Sequence, residues 1–115
     1  MIVCVLDDLL FSVKISTAAK SLGTDVYFER TPGMAVARVK EKQPSLVIFD
    51  LNSAKLNPLA AIAELKADAA TRGIRTLGFV SHVHADVIAA ARQAGIDEVL
   101  ARSAFSDRLG EILRG

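Results

Sequence analysis

Short apolar runs alternate with helix-patterned segments along this chain, five of each, and that alternation sets most of what it can become. The runs are "IVCVL" (2–6), "DVYF" (25–28), "SLVIFD" (45–50), "RTLGFVS" (75–81) and "DEVLA" (97–101). The first is continuous and β-branched, as a strand buried on both faces requires. "DVYF" is shorter and reads as a strand towards an edge. Residues 9–22 place Phe11, Ile15, Ala18, Ala19 and Leu22 on one helical face, and Gly23 offers a C-terminal stop. Thr31 and Pro32 read as the cap and first residue of a second helix that ends before Pro44. Asn57 and Pro58 open a third, closed by Gly73, and an Ala-rich fourth ends at Gly95. Residues 103–114 put Phe105, Leu109, Ile112 and Leu113 on one stripe of a fifth, with Gly110 inside it costing about 1 kcal/mol against Ala.

Helices between strands that are apolar throughout mean a parallel sheet covered on both sides. The expected fold is therefore α/β, a doubly wound (βα)5 domain formed by residues 1–115 as one unit. A chain of 115 residues suits a single domain, and 51% apolar residues suffice for a core that is aliphatic rather than aromatic. The net charge of +1, without runs of like charge, argues against nucleic acid or an anionic membrane as the main partner. Cys4 is the only cysteine, which excludes an internal disulfide; it reads as a small buried hydrophobe and fits a cytoplasmic home. No secretory leader is visible, and no apolar run is long enough to span a bilayer.

Sites in doubly wound sheets form beyond the carboxyl ends of the strands. Polar residues stand at those positions. The first strand runs into Asp7 and Asp8, the third ends on Asp50 with Asn52 just after, the fourth ends at Ser81, and the fifth ends near Arg102. Burying a carboxylate costs several kcal/mol unless something compensates, so Asp50 calls for a reason. If those strands are neighbours, three carboxylates converge, each pair repelling by about 3 kcal/mol at about 5 Å and an effective dielectric near 20. The cluster then needs a proton, the Arg102 guanidinium or a cation; an all-oxygen ligand set suits Mg²⁺.

With these residues in place, the chain resembles the receiver domain of two-component response regulators over essentially its whole length. The resemblance implies a flavodoxin-like fold with strand order 2-1-3-4-5. It implies that Asp7 and Asp8 bind Mg²⁺, that Asp50 is the phosphoacceptor, and that Asn52 lends a backbone carbonyl to the metal. Ser81 and Arg102 would hydrogen-bond the phosphoryl oxygens. The implied partners are a histidine kinase or phosphotransfer protein upstream and an effector protein downstream, the latter because no output domain follows Gly115. The protein is expected to act as a phosphoacceptor rather than as an enzyme.

The chain also departs from the family. Arg102 stands where a Lys is usual, and a planar guanidinium is not interchangeable with a compact ammonium. The Pro that usually follows is absent from "RSAF". Val99 occupies the place of a switching aromatic, Ser53-Ala54 replaces a frequent Met-Pro, and His82 is bulky where a small residue is usual and would crowd Asp50. Counting back from Gly95 would put Val80 rather than Ser81 at the strand-end position.

Blander readings stand beside these. Asp50 could cap its loop, Asp7 or Asp8 the first helix, and Ser81 the fourth. Arg102 could be a permanent ion-pair partner of Asp50, closing the site without phosphate. His82 and His84 make a poor metal site on their own. The departures support a pseudo-receiver, the same fold used as a phosphorylation-independent interaction module. A small nucleotide-binding or hydrolytic domain is disfavoured, because no Gly-rich phosphate loop is present.

Overall fold

The computed structural model describes residues 1–81 and 84–115. Five parallel strands form one sheet in the order β2-β1-β3-β4-β5, with β1 Ile2–Val5, β2 Val26–Glu29, β3 Leu46–Asp50, β4 Arg75–Val80 and β5 Glu98–Ala101. β1 lies between β2 and β3, pairing Val3 with Tyr27 on one side and with Val47 on the other. The β3–β4 register sets Asp50 opposite Phe79, and the β4–β5 register sets Val80 opposite Ala101. The expected fold and strand order are those observed.

Alternation along the central strands divides the core into two layers, since successive side chains on a strand point to opposite faces. Val3, Val5, Val47 and Phe49 face one way. They pack with Val39 of α2 (Ala35–Lys42), Ile62 and Leu65 of α3 (Pro58–Ala67) and Ala91 of α4 (Ala85–Ala94). Ile2, Cys4, Leu6, Ile48, Leu77 and Phe79 face the other way, against Ile15 and Ala19 of α1 (Leu9–Leu22). Phe105 of α5 (Arg102–Asp107) and Leu109, Ile112 and Leu113 of α6 (Leu109–Arg114) complete that layer. Cys4 is fully buried, and desolvation pushes its thiol well above the ordinary value.

Three helix boundaries differ from the sequence reading. Thr31 does not cap a helix: its amide donates to Glu29 Oε2 at 3.0 Å. Gly33, at φ +79°, turns the chain so that α2 starts only at Ala35. α3 ends at Ala67 rather than running to Gly73, because Asp68 leaves helical geometry (φ −96°, ψ 127°) and its carboxylate accepts the Ala70 amide. The last helix is two: Arg108 sits between α5 and α6 at φ −98°, ψ 10°, with its guanidinium reaching Glu98 of β5 and Glu111. The apolar stripe survives this break, since Phe105, Leu109, Ile112 and Leu113 are all buried.

Two polar devices hold the periphery. Lys66 donates to the Ile74 carbonyl and to Asp97, each at 2.9 Å, while Asp97 accepts from both the amide and the hydroxyl of buried Thr76. Glu29, buried at the end of edge strand β2, accepts from Arg38 Nε at 3.0 Å and so pins α2. Burial pushes the Glu29 carboxyl up, but the Thr31 amide and the Arg38 guanidinium outweigh it and leave it below its ordinary value.

Two predictions follow from this packing. A Cβ at Gly78 would lie 2.8 Å from Leu51 Cγ and Cδ1 and 2.9 Å from Ile96 Cδ1. Gly78→Ala is therefore expected to lower the urea midpoint with little change in slope, a loss of about 1–3 kcal/mol. Because Glu29 has a depressed folded pKa, its contribution is present above the unfolded value and disappears as pH falls through the folded one. Arg38→Met, leaving Glu29 without its cation, should lower the urea midpoint at pH 7 and lower it less in acid, read by urea melts across pH.

Candidate functional site

Parallel strands all end on one rim, and the loops leaving that rim are tied to one another by the polar residues that end the strands. Asp7, one residue past buried Leu6, accepts the Ser53 hydroxyl on Oδ1 at 3.1 Å, joining the loop after β1 to the loop after β3. Asn52 Oδ1 accepts the Ser81 amide at 3.0 Å, joining the loop after β3 to the end of β4. Asp8 caps α1 by accepting the Phe11 amide on Oδ1 at 3.0 Å, and its Oδ2 lies 3.6 Å from Arg102 Nη2 at the start of α5. Side chains from four of the five strand ends thus form a connected set.

Asp50 sits in the middle of that set, the last residue of β3 and only 4% exposed. Its Oδ1 accepts the Asn52 amide at 2.9 Å. Burial pushes its carboxyl above the ordinary value; the Asn52 amide and the Arg102 charge pull it down, while the Asp8 and Asp7 charges add to the rise. Oδ2 has no hydrogen-bond partner among the described residues. A carboxylate at a strand end with one oxygen fixed and the other without a partner among the described residues is placed to act as a nucleophile or a ligand.

The sequence-derived site residues fall as follows. Asp7, Asp8, Asp50, Asn52, Ser81 and Arg102 are all on this rim; β4 ends on Val80, not on Ser81 as expected, and Ser81 is the first residue beyond it. The idea of Arg102 as a direct ion-pair partner of Asp50 is corrected: its guanidinium goes to Asp8 and lies over Phe11, with Cζ 4.9 Å from the ring centroid and 5.9 Å from that of Phe79. The flat fork stacks on an aromatic face where an ammonium on a flexible stem would be drawn to carboxylates. The reading of His82 as crowding Asp50 lies outside the described residues. Sequence reasoning missed Ser53 and the Asn52 side chain, although both are polar and follow a strand-end acid within three residues. It took Phe11 for core only.

The donor chemistry suits a hard divalent cation, since every candidate ligand is an oxygen. Asp50 Oδ2 has no partner among the described residues, and the Asn52 carbonyl, which accepts the Ala54 amide at 3.1 Å, keeps a second lone pair. The acids are nevertheless not drawn into a cage: among the described residues no three His, Cys, Asp or Glu side chains gather closely enough to hold a metal ion. Asp8 is turned to α1 and Arg102, and Asp7 to Ser53. The set therefore fits an ion that keeps several waters and takes one or two carboxylates.

No protein-family model and no curated protein sequence matches the chain. Solved structures do. A response regulator from Hahella chejuensis is 17% identical with a TM-score of 0.83, the match covering 98% of this chain and 92% of that one. The receiver domain of a sensor histidine kinase from Pseudomonas aeruginosa PAO1, solved with a magnesium ion coordinated in its active site cleft, is 21% identical with a TM-score of 0.84, covering 98% and 93%. The receiver domain of NtrX from Brucella abortus is 18% identical with a TM-score of 0.80, covering 99% and 95%. This chain has the fold of response-regulator receiver domains from end to end. No helix among the described residues is long and apolar enough to cross a membrane.

A raised folded pKa means that the native state holds the Asp50 proton more tightly than the unfolded chain does. The stability tied to this group is present below the unfolded pKa and is lost as pH rises through the folded one. Asp50→Asn removes a buried charge yet can still accept the Asn52 amide. It should stabilise the fold at pH 7 by about 1–2 kcal/mol, the gain shrinking towards acid pH, as read by thermal melts.

Proposed function

We propose that this chain is a receiver-like signalling protein of the cytoplasm in which Asp50 accepts a phosphoryl group from a histidine kinase or phosphotransfer protein. The observation that carries this reading is the buried Asp50 carboxylate at the end of β3, with Oδ1 held by the Asn52 amide, on a rim shared with Asp7, Asn52, Ser81 and Arg102. Asp50 would attack phosphorus as the phosphorus–nitrogen bond of the donor phosphohistidine breaks, leaving an acyl phosphate on the protein. Asp7, Asp50 and the Asn52 carbonyl would hold Mg²⁺, which when bound neutralises charge on the transferring group. The magnesium-bound receiver from Pseudomonas aeruginosa supports that choice of ion.

Around Asp50, this chain's own residues orient and conserve charge. The Asn52 amide fixes the nucleophile's rotamer. The Ser81 side chain stands at the end of β4, its amide locked by Asn52. Arg102 is held at the lip by Asp8 and Phe11, from where it would turn to the new phosphoryl oxygens. A charge change at Asp50 would then bias the loops after β3 and β4, and output would pass to an effector protein by contact. The protein is a phosphoacceptor in this reading and not an enzyme with turnover.

The Arg102 contacts also favour a second reading. A guanidinium already engaged by Asp8 and two aromatic rings is not poised on Asp50, which is what a constitutive interaction module would tolerate.

Incubation with Mg²⁺ and acetyl phosphate separates the two. Under the first reading intact-mass spectrometry shows a gain of one phosphoryl group, absent without Mg²⁺ and in Asp50→Asn. No gain, together with unchanged partner binding by Asp50→Asn, would establish the constitutive module instead.

A further inference from the structure

A cleft of about 420 Å³ lies between the starts of α1 and α5, lined by Phe11, Ser81, Arg102, Ser103 and Ser106. That volume falls within the range of small-molecule sites. Its floor is the Phe11 ring, which is not free to move: it stacks on buried Phe79 at 5.0 Å, and Phe79 stacks on buried Phe105 at 4.5 Å. The three rings join α1, β4 and α5, so the floor is built before any ligand arrives.

Two cations address this ring. Arg102 Cζ is 4.9 Å from the Phe11 centroid and Lys14 Nζ is 5.9 Å from it. Lys14 also donates to the Ser106 hydroxyl and has no carboxylate within ion-pair distance among the described residues. Arg102 has one ion pair among those residues, the 3.6 Å contact with Asp8, and the other Asp8 oxygen is committed to the Phe11 amide. Arg102 and Lys14 thus set two cations at the outer edge of the cleft, with Asp8 on Arg102 and the Asp50 carboxylate, which also feels the Arg102 charge, further along the rim; the hydroxyls of Ser81, Ser103 and Ser106 add neutral donors. A guanidinium fork matches the paired oxygens of a carboxylate, and an aromatic floor favours a flat apolar body over a well-hydrated ion.

We propose that this cleft binds a small anion carried on a flat apolar body, of the aromatic carboxylate class. The body rests against Phe11, and the oxyanion is held by Arg102, Lys14 and the serine hydroxyls. Neither half suffices: inorganic phosphate lacks the surface to bury, and an uncharged ring leaves Lys14 without a carboxylate and Arg102 with its single, long contact to Asp8. The site requires no phosphoryl chemistry, so it stands whether or not Asp50 is ever phosphorylated. Because Ser81 and Arg102 belong to both places, a bound anion would compete for the groups that face Asp50.

The test is an amide NMR titration of the full chain with benzoate, with benzamide as the uncharged analogue and inorganic phosphate as the bodiless one. Benzoate should shift the Phe11, Ser103 and Ser106 signals saturably, with benzamide and phosphate at least about tenfold weaker. Lys14→Gln, a surface change that leaves the core intact, should weaken benzoate binding about threefold to tenfold, and Arg102→Gln by at least as much. The same shifts should persist in Asp50→Asn, which takes no phosphoryl group. Benzamide or phosphate binding as well as benzoate, shifts centred elsewhere, or unaltered affinity in both cation variants would overturn the proposal.

Discussion

A carboxylate held at the end of a strand that is buried on both faces is the constraint around which the rest of the rim is arranged. Water would solvate Asp50 far better than the protein does, and two further acids lie near enough to raise its carboxyl. The fold offsets this with little: one backbone amide and the more distant charge of Arg102. Neighbouring polar groups are spent on each other. Asp7 holds Ser53, Asn52 holds Ser81, and Asp8 holds the first turn of α1 and the guanidinium. Those bonds tie the loops together while none of them reaches Asp50 Oδ2. A group kept in that condition costs the fold stability.

Most of the architecture was legible because the physics behind it is local or periodic. Continuous apolar runs such as "LVIF" can only be strands covered twice, and helical stripes such as Phe11, Ile15 and Ala19 name the face that covers them. The strand-end acids were legible for the same reason, since a charge at the end of such a run has few innocent explanations. The misread boundaries all involve competition that a linear pattern does not display. Glu29 captures the Thr31 amide, Asp68 bonds its own loop, and Arg108 is drawn to Glu98 on a neighbouring strand.

Arg102 shows the limit most clearly. Its position was readable from the end of β5, but its partner was not, because electrostatics alone points to the nearest cluster of acids. The deciding contact is with Phe11, a residue that the helical stripe assigned wholly to the core. A half-buried ring serves two masters: one side joins the stack of Phe79 and Phe105, and the rest is available to cations at the surface. Periodicity reports the first of these and is silent on the second.

Cys4 carries a separate consequence. Its sulfur lies in the second strand-row from the edge of the sheet, sealed by α1 on one side and flanked by β2 and β3, and its thiol is held protonated. No fraying of a helix end or loop uncovers it; the helical layer of α1, α5 and α6 must lift from the sheet. The chain therefore contains a natural clock for the opening of that layer, one that an alkylating reagent can read without any engineered label.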